Sequence, residues 1–219
     1  KTYQSIYDIL CNMKTTKKVK ISIYISEIQE TDSKFNNNSN IDYVRIDTSV
    51  IKIKSLNKKG SFENCTELKS ILLPSSLTTI DSNSFYNCRS LKQIDIPSSV
   101  YSIGFHSFYF CSSLVEITIP SSVTCIEQYV FDSCSSLKQV SLPSSITSIE
   151  QYAFINCRSL EKINIPPTTT YIGDNAFDEC TSLNHIIIPP SVTSFGSWVF
   201  RGCSSLTEIE IPSSLKSIG

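Results

Sequence analysis

Seven cysteines stand 23 residues apart, at Cys65, Cys88, Cys111, Cys134, Cys157, Cys180 and Cys203. Phe62, Phe85, Phe108, Phe131, Phe154, Phe177 and Phe200 keep the same interval, and so do Pro74, Pro97, Pro120, Pro143, Pro166, Pro189 and Pro212. Three residue types holding one register without a slip mean an internal repeat, and a period of roughly 20–50 residues means a stack of small units. Each unit buries its apolar face only against its neighbours, so a chain of 219 residues needs no second domain.

Within a unit the apolar positions read Leu-x-x-Ile-x-Ile-Pro, as at Leu91, Ile94, Ile96 and Pro97. Ile94 and Ile96 alternate with Asp95, the period of a strand with one buried face. Proline has no amide hydrogen for the ladder and ends that strand. A Ser-Ser turn follows, and Val100 with Ile103 opens a second apolar segment closed by Gly104. Ala153, Phe154 and Cys157 exemplify the return, which reads as a tight or 3₁₀ turn. Parallel strands of successive coils lie about 4.8 Å apart, so Leu, Ile, Phe and Cys each form a ladder through the core. The expected fold is a repeat solenoid, mainly β with short turns or 3₁₀ segments, around a parallel sheet.

Upstream the pattern decays. Ile41, Val44 and Ile46 fit the strand, Val50 and Ile53 fit the second segment, and the polar stretch from Lys54 to Gly60 carries extra residues expected to bulge. Val19, Ile21, Ile23 and Ile25 alternate with polar residues and suggest a capping strand, followed by the Asn-rich loop Asn36 to Asn40. Tyr3, Ile6, Leu10 and Met13 share one helical face, which gives an amphipathic helix over residues 2–14. Residues 1–40 are therefore read as an N-terminal cap of helix and strand. Residues 41–219 are read as the solenoid, its first repeat degenerate and its last truncated. The helix admits two readings, a cap closing the solenoid edge or a partner-binding element.

The pattern L-x-x-I-x-I-P-S-S-V-T-S-I-x-x-x-A-F-x-x-C-x-S, over residues 61–219, resembles the BspA-like class of leucine-rich repeats. That class occurs in bacterial surface proteins and large protist families. The resemblance implies a curved, right-handed leucine-rich-repeat superhelix with a parallel sheet, serving protein recognition or adhesion. It names no partner.

Nine cysteines admit buried thiols, disulfides or metal ligands. Stacked equivalents point the same way, whereas a disulfide dihedral wants them facing; an odd ladder cannot pair completely, and no C-x₂₋₄-C spacing suggests zinc. Buried free thiols fit best and point to a reducing, cytoplasmic compartment. The family resemblance points instead to the cell surface, and localisation stays open between the two. Asn37 and Asn64 begin N-x-S/T sequons.

With a formal net charge of −1, the chain lacks the basic bias of a nucleic-acid binder, and no apolar run approaches the ~20 residues of a membrane helix. His106 and His185 lie more than three repeats apart, and no phosphate loop, nucleophile elbow or metal motif is present. The sequence thus gives no catalytic, cofactor-binding or metal-binding residues and does not read as an enzyme.

Candidate partner-binding residues occupy two columns. On the strand face, Leu72, Asp95, Thr118, Ser141, Asn164, Ile187 and Glu210 vary in size and charge, as a recognition surface or an unconstrained one would; Asp95, Thr118 and Asn164 are the candidates there. Two places before each ladder Phe run Asn83, His106, Tyr129, Tyr152, Asn175 and Trp198, with Phe105, Tyr109 and Phe110 alongside. Aromatic rings suit binding hot spots, and they equally suit stacking on one another along the solenoid. Two functions follow: recognition of a protein partner, or a cell-surface adhesive or structural array that self-assembles or binds extracellular matrix. Leu206, Ile209, Ile211, Leu215 and Ile218 line the last coil, where fraying or end-to-end association is expected.

Overall fold

The computed structural model describes residues 60–215, with the backbone of strands at 19–22, 41–45 and 52–53. After β1 (Val19–Ser22), each unit supplies up to two strands. The first strands are β2 (Ile41–Arg45), β4 (Ser70–Leu72), β7 (Glu116–Thr118), β9 (Gln139–Ser141), β11 (Lys162–Asn164), β13 (His185–Ile187) and β15 (Ile209–Glu210). The second strands are β3 (Lys52–Ile53), β5 (Thr79–Ile80), β6 (Ser102–Ile103), β8 (Cys125–Ile126), β10 (Ser148–Ile149), β12 (Tyr171–Ile172) and β14 (Ser194–Phe195). Every pairing among them is parallel, and residues one period apart oppose each other, as Ile163 opposes Ile186 and Ile149 opposes Ile172.

The period-two pattern decides which side chains enter the core. In β7, β9, β11 and β13 only the central residue is buried. Behind it Leu91, Leu114, Leu137, Leu160 and Leu183 are fully enclosed. The ladder phenylalanines from Phe62 to Phe200 stack nearly parallel, with centroids 5.3–5.7 Å apart. Each such pair adds about 0.5–1.5 kcal/mol beyond the area it buries. The second serine position of the Ser-Ser turn also works across coils. Ser145 Oγ donates to the Val123 carbonyl at 2.6 Å, and Ser191 Oγ to the Thr169 carbonyl at 2.6 Å.

One strand expected from the sequence does not form. Ile94 is buried and Asp95 exposed as the alternation requires, yet residues 93–95 lie outside any strand. The first sheet is split there into β1-β2-β4 and β7-β9-β11-β13-β15. The second sheet breaks between β6 and β8. Side-chain alternation selects the buried face, whereas ladder bonds also need the neighbouring backbones in register and at bonding distance. On the opposite side the same joint stays closed: Phe108 N–H donates to the Val130 carbonyl at 3.0 Å and Phe110 N–H to the Asp132 carbonyl at 2.9 Å.

The Phe and Cys return is a train of tight turns, the first of the two forms the sequence suggested, and not a 3₁₀ helix. Ser84, Tyr86 and Cys88 donate back to the residues three before them, Asp81, Asn83 and Phe85. The intervening Asn83, Phe85 and Asn87 donate outward to Phe105, Ser107 and Tyr109 of the next coil. Alternation of donors requires reversed peptides, supplied by left-handed residues at Asn83 (φ 58°) and Asn87 (φ 60°). A 3₁₀ helix would direct every donor inside its own coil.

The structure contains no α-helix among the described residues. The helix expected over residues 2–14, the Asn-rich loop, the bulge before Gly60 and Ile218 lie outside them. β2 and β3 of the degenerate repeat pair with β4 and β5. In the last described coil Leu206, Ile209 and Leu215 are half-buried and Ile211 is exposed.

Candidate functional site

The column two places before the ladder Phe is the left-handed position itself. His106, Tyr129, Tyr152 and Trp198 all hold φ between 56° and 60°, where bulky residues are uncommon and a cost of order 1–3 kcal/mol is expected. The turn fixes each of these backbones, so successive side chains are delivered to the same edge one coil apart. Tyr129 and Tyr152 stack with centroids 4.6 Å apart and planes within 9°. His106 meets Tyr129 edge-on at 4.9 Å, Phe105 meets it at 5.6 Å, and His106 touches Tyr109 at 4.7 Å. Tyr109 stacks on Tyr86 at 4.8 Å and contacts Phe110 at 4.8 Å.

Six of the sequence candidates, Phe105, His106, Tyr109, Phe110, Tyr129 and Tyr152, thus form one continuous run of rings. Tyr86 extends it and was missed, although it stands one period before Tyr109. The rings stack and yet remain accessible: Phe105 is 39% exposed and Phe110 37%, while the tyrosines and His106 are half-buried. Burial pushes the His106 imidazole below its ordinary value and favours its neutral form. Burial first, then the neighbouring Tyr152 and Asp132, pushes the Tyr129 phenol up.

Trp198 stands apart from this run because Asn175, buried, interrupts the column. Trp198 is 63% exposed, and the Arg201 guanidinium lies 5.5 Å from its ring centroid. The same guanidinium forms a forked contact with Asp178, whose side chain is fully buried, Nη2 to Oδ2 being 2.6 Å. Asp132 holds the position of Asp178 two coils earlier. Ser133 Oγ donates to it at 2.7 Å and the Asn156 side chain also bonds it, but no cation pairs with it among the described residues. Burial raises its pKa, opposed by those two hydrogen bonds.

The other three candidates are exposed away from the ring run, Thr118 and Asn164 on the first sheet and Asp95 at the break in it. Asp95 and Thr118 border a depression of about 220 Å³ at the break in that sheet, together with Gln93, Glu116, Gln139 and Ser141. His185 is exposed on β13 opposite Lys162, so the two histidines occupy different faces.

All eight cysteines among the described residues are free. Six of the ladder cysteines, from Cys65 to Cys180, are fully enclosed, and the thiols from Cys88 to Cys203 each donate to the Phe carbonyl of the preceding coil, Cys157 to Phe131 at 3.1 Å and Cys180 to Phe154 at 3.2 Å. Cysteine is therefore both a small apolar filler and a donor between coils. Cys125, off the ladder on β8, is half-buried, and burial pushes its thiol up to about 11. No group of three or more potential metal ligands occurs among the described residues.

The family described as BspA type Leucine rich repeat region matches residues 29–160 and 124–219, in 6 copies. The chain belongs to the BspA-type leucine-rich repeat family. Among solved structures, a leucine rich cell surface protein from Faecalibacterium prausnitzii is 26% identical with a TM-score of 0.68, the match covering 92% of this chain and 71% of that one. A leucine-rich repeat protein from Bacteroides ovatus is 30% identical with a TM-score of 0.68, over 94% of this chain and 61% of the other, so this BspA-type chain spans less than two thirds of it. The Leucine Rich Repeat protein of T. pallidum is 25% identical with a TM-score of 0.57, over 86% and 79%. No curated protein matches the chain significantly. No described helix is long and apolar enough to cross a membrane.

Proposed function

We propose that this BspA-type solenoid is a protein-recognition module, and that the ring run from Tyr86 to Tyr152 is its contact surface. The supporting observation is that four of these rings, His106, Phe110, Tyr129 and Tyr152, are carried on left-handed backbone positions that asparagine fills at less cost, as at Asn83, Asn87 and Asn175. The rings stack on one another and still present exposed area, as at Phe105 and Phe110. Aromatic groups held rigidly lose little entropy on binding and bury much area, as recognition demands. The reading gives His106 a place among the rings, packed against Phe105, Tyr109 and Tyr129, and asks no catalysis of it.

A random-peptide display selection on the immobilised protein, counter-selected on a Tyr129→Asn/Tyr152→Asn variant, tests this reading. Asparagine keeps the left-handed backbone and removes both rings. Peptides that bind the parent and not the variant are expected; selections that recover the same binders on both would defeat it.

A second reading is a surface adhesive or structural role, favoured by the likeness to a protein described as a leucine rich cell surface protein. It uses the same edge, the partner then being matrix or another copy.

A further inference from the structure

Charge is distributed unevenly around each coil. The spans 124–134, 147–157 and 170–180 run from the second strand through the turns to the ladder cysteine. They carry Glu127, Asp132, Glu150, Asp174, Asp178 and Glu179 and no lysine or arginine, although the whole chain is nearly balanced at 19 basic and 20 acidic residues. The ring run adjoins this acidic stretch: Glu127 and Glu150 each stand two residues before a tyrosine of the stacked pair, and the Asp132 carboxylate is close enough to help raise the Tyr129 phenol.

The chain displays what such an edge holds. At Asp178 a guanidinium from the next coil, Arg201, forks onto the buried carboxylate and lies over the Trp198 ring. At another coil joint Arg89 lies 5.8 Å from the Phe110 ring centroid. The equivalent arrangement around Asp132 has the carboxylate and the ring, Tyr152, but its arginine position is filled by Ile155. Carboxylate and aromatic face together select a planar cation, because the ring quadrupole and the negative charge attract the same group and the fork matches the carboxylate.

We infer that the Tyr129–Tyr152 edge, with Glu127, Asp132 and Glu150, docks an arginine-bearing segment of the partner protein, one guanidinium lying over the tyrosine pair as Arg201 lies over Trp198. This rests on the reading of the ring run as a recognition surface and adds the chemistry of its occupant. A neutral apolar partner would gain the ring contacts and leave the acidic rim desolvated without compensation. An acidic partner would be repelled by it.

The probe is an octapeptide alternating glycine and arginine, compared with the same peptide carrying citrulline, which keeps the shape and loses the charge. Binding to the full chain is followed by NMR titration at fixed salt. The arginine peptide is expected to bind about tenfold more tightly than the citrulline peptide, and to lose about tenfold in Tyr129→Asn/Tyr152→Asn and in Glu127→Gln/Glu150→Gln. A Glu116→Gln variant on the first sheet should bind as the parent does. Equal affinity for the two peptides, or arginine binding that neither edge variant weakens, would overturn the inference. Display-selected peptides that need the tyrosines but carry no arginine would also overturn it while leaving the recognition reading intact; loss of tyrosine dependence altogether would remove both.

Discussion

The Cys134 thiol donates to the carbonyl of Phe108 in the preceding coil at 3.1 Å, and that carbonyl also accepts the Cys111 N–H at 3.1 Å. The bond ties the cysteine ladder to the phenylalanine ladder across a coil joint. Cys134→Ala would remove the donor and leave a small void in a fully enclosed position, at a cost of about 1–3 kcal/mol. Cys125→Ala, at a half-buried position whose thiol lies 3.8 Å from Glu150, should cost less than about 1 kcal/mol. Urea denaturation of the two variants checks the ranking, and equal costs would show that the thiol-to-carbonyl bond contributes nothing.

Alkaline pH should destabilise the fold through the same ladder. Burial above all pushes Cys88, Cys134, Cys157 and Cys180 well above the ordinary value of 9.0, and Cys111 is raised too. Below pH 9 both states keep these protons and the term is absent. Above it the unfolded chain releases them and the folded chain does not, so stability falls by about 1.4 kcal/mol per pH unit for each thiol. Five thiols make the slope roughly 7 kcal/mol per unit. A urea midpoint that stays constant from pH 8 to pH 10 would contradict this.

Phe154 and Tyr152 stand two residues apart on the chain and should differ widely in the cost of substitution. Phe154 is fully buried between Phe131 and Phe177, and its replacement by alanine should cost about 3–5 kcal/mol. Tyr152→Asn loses one stacked ring but relieves a left-handed tyrosine, so its net effect should stay within about 1 kcal/mol. Thermal melts of the two single variants measure both.

Ser107 is fully buried, and its hydroxyl has no hydrogen-bond partner. Ser84, one coil earlier, donates to Asp81 at 2.6 Å, and the same position holds Ala153 and Ala176 further along. Ser107→Ala should therefore be neutral or raise stability by up to about 1 kcal/mol. A loss greater than that would mean the hydroxyl is satisfied in solution.

The sequence by itself determined the stack. A fixed interval of Cys, Phe and Pro forces equivalent residues to superpose, and alternation in Leu-x-x-Ile-x-Ile assigns the buried face, because only apolar periodicity and the missing proline donor are needed for both inferences. It also brought Tyr129 and Tyr152 together, since residues one period apart in a stack must be neighbours. Tertiary structure decided what depends on backbone direction and on distance between coils. The left-handed φ at Tyr129 and Tyr152 leaves no mark in their residue type; only Asn83 and Asn175 in the same column hinted at it. The break at Gln93–Asp95 is invisible in a sequence whose alternation is intact there, because ladder bonding is a property of two backbones and not of one. Arg201 reaches Asp178 only because side chains from adjacent coils converge at the turn, where reach and burial decide whether opposite charges meet.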